Sequence, residues 1–230
     1  MSVMRRAGRM VGLLLLVQLA AGLIVPYVLL QPLSAGGTAF LERAASMSAM
    51  VRINVLVLLL GGAVSIAVAV TAWPVVRTRR SDLGIWLLAL AVVNFTLQII
   101  ENAQWLSMLS LSQAYAAATG AEAATMRPLA VVVRASWRWA HYSHILVVVG
   151  WLFTTFLTLF RCALVPRGLG VFGMFCSVLH TIGITLPVFT GYRMVFPELF
   201  GMPLALAILS IAVWLLTRGF DEATPAVSGA

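Results

Sequence analysis

Long apolar runs, broken by short clusters of arginine or small residues, dominate this chain. Six stretches are extended and apolar enough to read as membrane-spanning helices, near 10–30, 53–76, 83–111, 131–160, 169–191 and 202–218. A helix needs about 20 largely apolar residues to cross a bilayer. The pattern therefore predicts an all-α polytopic membrane protein with six transmembrane helices. These form one domain over residues 1–220, followed by a disordered tail at 221–230. The first apolar run is longer than an ordinary signal-peptide core of roughly 7–15 residues and lacks an A-x-A site, so it is expected to be a retained helix.

Between the runs, the two faces of the membrane would see different connections. "RTRR" (77–80) and "RCALVPR" (161–167) are short and basic, as are the flanks with Arg5, Arg6, Arg9 and Arg218. The positive-inside rule places these links and both termini in the cytoplasm, in a bacterial inner membrane. The longer connections, 31–52, 112–130 and 192–201, then lie outside. "TAFLERAASMSAM" (38–50) reads as a short amphipathic helix on the outer surface. "AAATGAEAATMRP" (116–128) reads as a small-residue loop ended by Pro128.

Composition supports this class. Apolar residues make up 62% and charged residues 10%, whereas a soluble domain carries about a quarter charged residues. The net charge is +8, and all 15 basic residues are arginine. Because most of them flank apolar runs, they read as topology determinants and not as a nucleic-acid surface. Cys162 and Cys176 sit at different depths and show no metal-type spacing, which points to packing.

Two stretches carry a resemblance: "RRAGRMVGLLLLVQLAAG" at the N-terminus, and "LFRCALVPRGLGVFGM" leading into the fifth run. With these the chain resembles an uncharacterised family of bacterial six-span membrane proteins, domain of unknown function 4386. The resemblance implies the six-span fold. It brings no activity and no site residue, so any chemistry must come from the residues themselves.

Those residues gather in "SWRWAHYSHILVVVGW" (136–151) and the run before it. Counted from the basic links, Glu101 lies about 27 Å up the third helix, and His144 and His141 about 25 and 30 Å up the fourth. Asn94, Gln98, Glu101 and Trp105 recur at helical spacing, as do Arg134, Arg138 and His141. Two antiparallel helices would turn these faces toward each other. Glu101 is the one carboxylate inside a run, and a lipid-facing charge is expensive, so it is expected to pair with Arg138 or a histidine. Asn54 at the outer end of the second helix could close the ring, as could Tyr192. His180 lies only about 18 Å up the fifth helix, nearer the midplane; Thr181 and Thr185 beside it can bond back to their own helix.

Several readings compete. In one, Glu101–Arg138 is a structural ion pair and the histidines, with Trp137, Trp139 and Tyr142, are interfacial anchors. Such a protein could be a non-catalytic accessory subunit of a membrane complex. The functional reading is a pocket near the outer leaflet that binds a small lipid-soluble molecule. Acid/base chemistry there would fall to Glu101, His141 and His144. Arg138, Asn54, Gln98, Asn102, Trp105, Tyr142 and His180 would contact the ligand. A third reading places a divalent metal on Glu101, His141 and His144, or a haem between His144 and His180. Too few ligands share a level for a closed metal site, so no cofactor and no tightly held metal are expected. Membrane lipid and a small hydrophobic ligand are the expected partners, with a second copy or a membrane-complex subunit also open, and no nucleic acid. No P-loop, dinucleotide fingerprint, nucleophile elbow or zincin motif is present.

The alternation of basic links is directly testable. Reporter fusions after Arg79 and after Gly120 should report opposite sides of the membrane; the same side for both would overturn the topology.

Overall fold

Polarity in this structure is turned inside out relative to a soluble protein. Large apolar side chains such as Ile85, Trp86, Val92, Ile99, Ile100 and Leu106 face outward, while Asn54, Asn94, Gln98, Glu101 and His144 are buried. Lipid makes this the favourable arrangement, because apolar surface costs nothing in contact with acyl chains while polar groups must find partners inside. The computed structural model describes residues 2–25, 28, 38–190 and 197–221. Tyr192, the connection at 31–37 and the tail from residue 222 lie outside the described residues.

The described residues form helices in the order α1 (Val3–Ile24), α2 (Phe40–Arg43), α3 (Ser48–Ala117), α4 (Gly120–Arg161), α5 (Arg167–Thr190) and α6 (Pro197–Arg218), with no strand among them. All but α2 contain stretches long and apolar enough to cross a membrane. The chain is a multi-pass membrane protein.

Helix α3 runs for 70 residues but leaves helical geometry at Arg80, where φ is −150° and ψ is 84°. The break falls within the basic link read from the sequence, and the two arms fold back on one another. In one part of the hairpin a Cβ on Gly84 would meet the Trp73 ring at 2.8 Å, and Ser65 Oγ donates to the Ala91 carbonyl at 3.4 Å. Between residues more distant from Arg80 in the sequence, a Cβ on Gly62 would meet Phe95 at 2.9 Å, and Asn102 Nδ2 donates to the Val55 carbonyl at 3.1 Å. These pairings are all centred near Arg79. At the bend, Arg80 grips Asp82 through both carboxylate oxygens at 3.0 and 2.7 Å. That guanidinium holds the exposed Asp82 carboxyl down at about 2. The Arg79 guanidinium donates to the Cys162 carbonyl in the link after α4.

The chain divides into two compact units. The first comprises Met1–Leu19, Val64–Val92 and Val148–Ala230; the second comprises Ala20–Ala63 and Val93–Val147. In the first, α5 packs on α6, and α1 presents a stripe of Gly8, Val11, Gly12 and Leu15. Its glycines allow backbones to touch: a Cβ on Gly8 would collide with the Phe220 nitrogen, and one on Gly12 would lie 2.8 Å from the Ala212 oxygen. Small residues four apart are the usual means of close helix approach in membranes, where packing replaces the hydrophobic effect.

The second unit holds a core of Phe40, Leu41, Ala44, Val51, Trp105, Met108, Leu109 and Ala130. Two sequence expectations change here. The segment at 38–50 is not one amphipathic helix lying on the surface. Only 40–43 forms a separate helix, and Phe40 and Leu41 are buried in this protein core. Ser112 ties it down, accepting from the Ala45 N–H at 2.8 Å and donating to the Leu41 carbonyl at 2.9 Å. Nor is 116–128 a loop: only Ala118 and Thr119 are non-helical, and Pro128 lies within α4. Alanine is the best helix former, so the small-residue run extends the helices. Gly120, at φ 57°, supplies the turn. Arg127 Nη2 donates across that turn to the Tyr115 hydroxyl at 2.9 Å.

The glycine contacts give an expected pair of outcomes. Gly8→Ala should lower stability by about 1–3 kcal/mol, because the new methyl group meets fixed backbone. Gly150, where an added methyl group would meet nothing within 4 Å, should accept alanine with no loss. Thermal unfolding of both variants in detergent checks this; equal effects would contradict the packing.

Candidate functional site

A carboxylate far from water needs opposing charge or several donors, and Glu101 finds them on α4. Its side chain is 4% exposed. Oε1 lies 2.8 Å from His141 Nδ1, and Oε2 lies 2.7 Å from His144 Nδ1. The three-residue spacing of the histidines places them on successive turns of one helix face. A single carboxylate on the second arm of α3 can therefore reach both, one oxygen each. These are charge-assisted hydrogen bonds at short distance, roughly twice as strong as neutral ones.

The two imidazoles then differ. His144 is 9% exposed, and its Nε2 lies 3.0 Å from Asn94 Oδ1. Both ring nitrogens thus face oxygens, a pattern an imidazolium satisfies with two N–H donors. A neutral ring satisfies it when the Asn94 amide turns its NH₂ toward Nε2. His141 is 36% exposed. Among the described residues its Nε2 has no hydrogen-bond partner. With Nδ1–H directed at Glu101, the neutral ring carries its lone pair on that open nitrogen.

Aromatic rings fix the plane of His141. The Trp137 ring stacks on it at 5.1 Å and 14°. Trp105 meets the same indole edge-on at 4.9 Å, and the Arg134 guanidinium lies 4.5 Å from its centroid. The inward face of α4 is therefore Trp137–His141–His144. The sequence reading places Trp137 in an interfacial belt instead, although its four-then-three spacing with the histidines is a signal of this face.

Other residues expected at the site take separate places. Gln98 Nε2 donates to Asn102 Oδ1 at 3.1 Å, and Asn102 in turn reaches the first arm of α3 at Val55. Asn54, next to Val55, is 0% exposed and Trp105 is 1% exposed; among the described residues neither amide atom of Asn54 nor the Trp105 Nε1 has a hydrogen-bond partner. Arg138 stands apart from Glu101: it is exposed, and its guanidinium lies 5.8 Å over Trp139. Glu101 thus meets the histidines and not the arginine. Tyr142 flanks the cluster, 6.4 Å from His141. His180 belongs to the first unit; a Cβ on Gly201 would lie 3.6 Å from its ring, and Thr181 and Thr185 bond back to Ser177 and Thr181 at 2.9 Å. Among the described residues no group of three or more His, Cys, Asp or Glu side chains is arranged to hold a metal ion.

What the arrangement can do is hold an imidazole in one tautomer, oriented by a carboxylate, with its other nitrogen open. That is the geometry of a general base. It also makes a stability prediction. His144→Ala strips Glu101 of its buried partner and should cost about 3–5 kcal/mol. His141→Ala removes one charge-assisted hydrogen bond from a half-exposed ring, and should cost less, about 1.5–3 kcal/mol. Chemical or thermal unfolding in detergent would rank them; the reverse order would contradict the burial difference.

Residues 10–219 match the family described as Domain of unknown function (DUF4386). No curated protein and no solved structure matches the chain.

Proposed function

The chain belongs to the DUF4386 family, and we propose that it is a six-span protein of a bacterial inner membrane, with both termini cytoplasmic. Its second unit would bind a small lipid-soluble molecule near the outer leaflet and exchange a proton with it. The observation that carries this reading is the open Nε2 of His141 on a ring whose Nδ1 is held by Glu101.

In this reading His141 Nε2 takes a proton from a weakly acidic C–H, N–H or O–H of the ligand. The imidazolium so formed is stabilised by the Glu101 carboxylate 2.8 Å away. Returning the proton to the same or a neighbouring atom completes an exchange or an isomerisation, with no redox partner needed. His144, itself held by Asn94, keeps Glu101 aimed, so both are positioning residues. Asn54, Gln98, Asn102 and Trp105 offer buried amide and indole groups to a polar end of the ligand. Arg138 and Tyr142 would line the more exposed side. An ionisable residue inside a membrane bundle is a functional hypothesis by default, and a histidine–carboxylate pair with one free nitrogen narrows it to acid/base work.

Wild type, His141→Ala and Glu101→Gln, purified from the same membranes, would be extracted with organic solvent and the extracts compared by mass spectrometry. A small molecule present with wild type should fall roughly tenfold or more with each folded variant, the equivalent of one good hydrogen bond to a charged group. Identical extracts from all three folded proteins would leave the cluster a structural feature and overturn the reading.

A further inference from the structure

Arginines from opposite ends of the chain meet in the first unit. A cleft of about 310 Å³ is lined by Arg5, Arg9, Thr217, Arg218, Phe220 and Asp221. Arg5 and Arg9 stand one turn apart at the start of α1, and Arg218 closes the last turn of α6. Among the described residues, three arginines therefore line a concave space together with a single carboxylate, Asp221. The first turn of α1 adds the positive end of a helix dipole and contains no acidic residue to oppose it. Like charges gathered in a hollow at a membrane boundary are stabilised by an anion seated among them.

The walls of the cleft are held in place by backbone. Gly8 allows α1 to lie directly against Gly219 and Phe220, where any Cβ would collide. Gly219, at φ 77°, turns the chain out of α6. Phe220 is then buried, at 1% exposure, and the Asp221 N–H donates to the Leu164 carbonyl at 2.9 Å. Arg9 Nη2 donates to the Thr217 carbonyl at 3.3 Å, joining the two helices across the cleft. The hollow is thus built before any ligand arrives.

From this juxtaposition we infer that the cleft binds a phosphate group, and that it is the headgroup phosphate of an anionic phospholipid. Guanidinium groups pair with phosphate oxygens through parallel hydrogen bonds. The lipid source follows from what lies beside the cleft. Val3, Met10 and Leu13 of α1, and Leu209 and Val213 of α6, are exposed apolar side chains on the same two helices, and they offer a surface for acyl chains. Basic hollows between helices at the cytoplasmic side are suited to anionic headgroups. Headgroup binding here is independent of the chemistry proposed for His141.

Native mass spectrometry of the purified full chain would test it, using dioleoyl phosphatidylglycerol, dioleoyl phosphatidylcholine and inorganic phosphate as probes. Wild type should retain one phosphatidylglycerol at least about tenfold more tightly than phosphatidylcholine. The double variant Arg5→Gln/Arg218→Gln should lose that preference. Arg77→Gln/Arg161→Gln, which removes the same charge outside the cleft, should keep it. Equal retention of the two lipids, or equal loss in both double variants, would overturn the site. Displacement of the lipid by inorganic phosphate at matched concentration would overturn the lipid assignment in favour of a soluble phosphate ligand.

Discussion

A buried carboxylate is the constraint on which the second unit turns. The Glu101 carboxyl group at 4% exposure has lost its water, and a carboxylate that lost water without replacement would cost far more than the margin of stability of a domain. Two imidazoles on successive turns of α4 replace it, one on each oxygen. Satisfying both oxygens fixes the register of α4 against the second arm of α3 to within a residue, since a slide of one position would carry both histidines off the face. Asn94, two turns along α3 from Glu101, then secures the far side of His144. Trp137 stacks on His141, and Trp105 meets Trp137 edge-on, which closes the cluster from the other direction.

In the first unit the energetics are those of lipid solvent. Burying apolar side chains gains little when the exterior is itself apolar, so α1 and α6 rely on close backbone approach at Gly8 and Gly12, and α4 and α5 on phenylalanines seated against Gly170 and Gly173. Threonines and serines along α4, α5 and α6 return their hydroxyls to carbonyls four residues back, so these hydroxyls are satisfied without water. Polar residues free of such local bonds are then conspicuous, and Asn54 is the clearest of them.

Much of this is legible in the sequence. Apolar runs mark the helices, and the Asn94–Gln98–Glu101–Trp105 spacing marks the buried face of α3, because helical periodicity survives in lipid even though its polarity inverts. Depth counted from the basic links brings Glu101 level with both histidines. What sequence does not decide is the rotation of α4. Arg134–Arg138–His141 and Trp137–His141–His144 are both helical stripes, and ranking by charge favours the first. The long Arg138 side chain instead reaches outward over Trp139, while flat Trp137 fills the interior. Residues 38–50 and 116–128 depart from expectation for a related reason. Their small and mixed composition matches a surface segment, but tertiary contacts from Ser112 and the helix propensity of alanine decide their structure.

At the centre of the cluster, Glu101 selects the tautomer of His141. Side-chain ¹⁵N NMR of histidine-labelled protein in detergent or nanodiscs reads that choice directly, since protonated and unprotonated imidazole nitrogens resonate far apart. A protonated Nδ1 and an unprotonated Nε2 are expected for neutral His141, with that preference lost in Glu101→Gln. His141 in the Nε2–H form, the tautomer that a free imidazole side chain prefers, would contradict it.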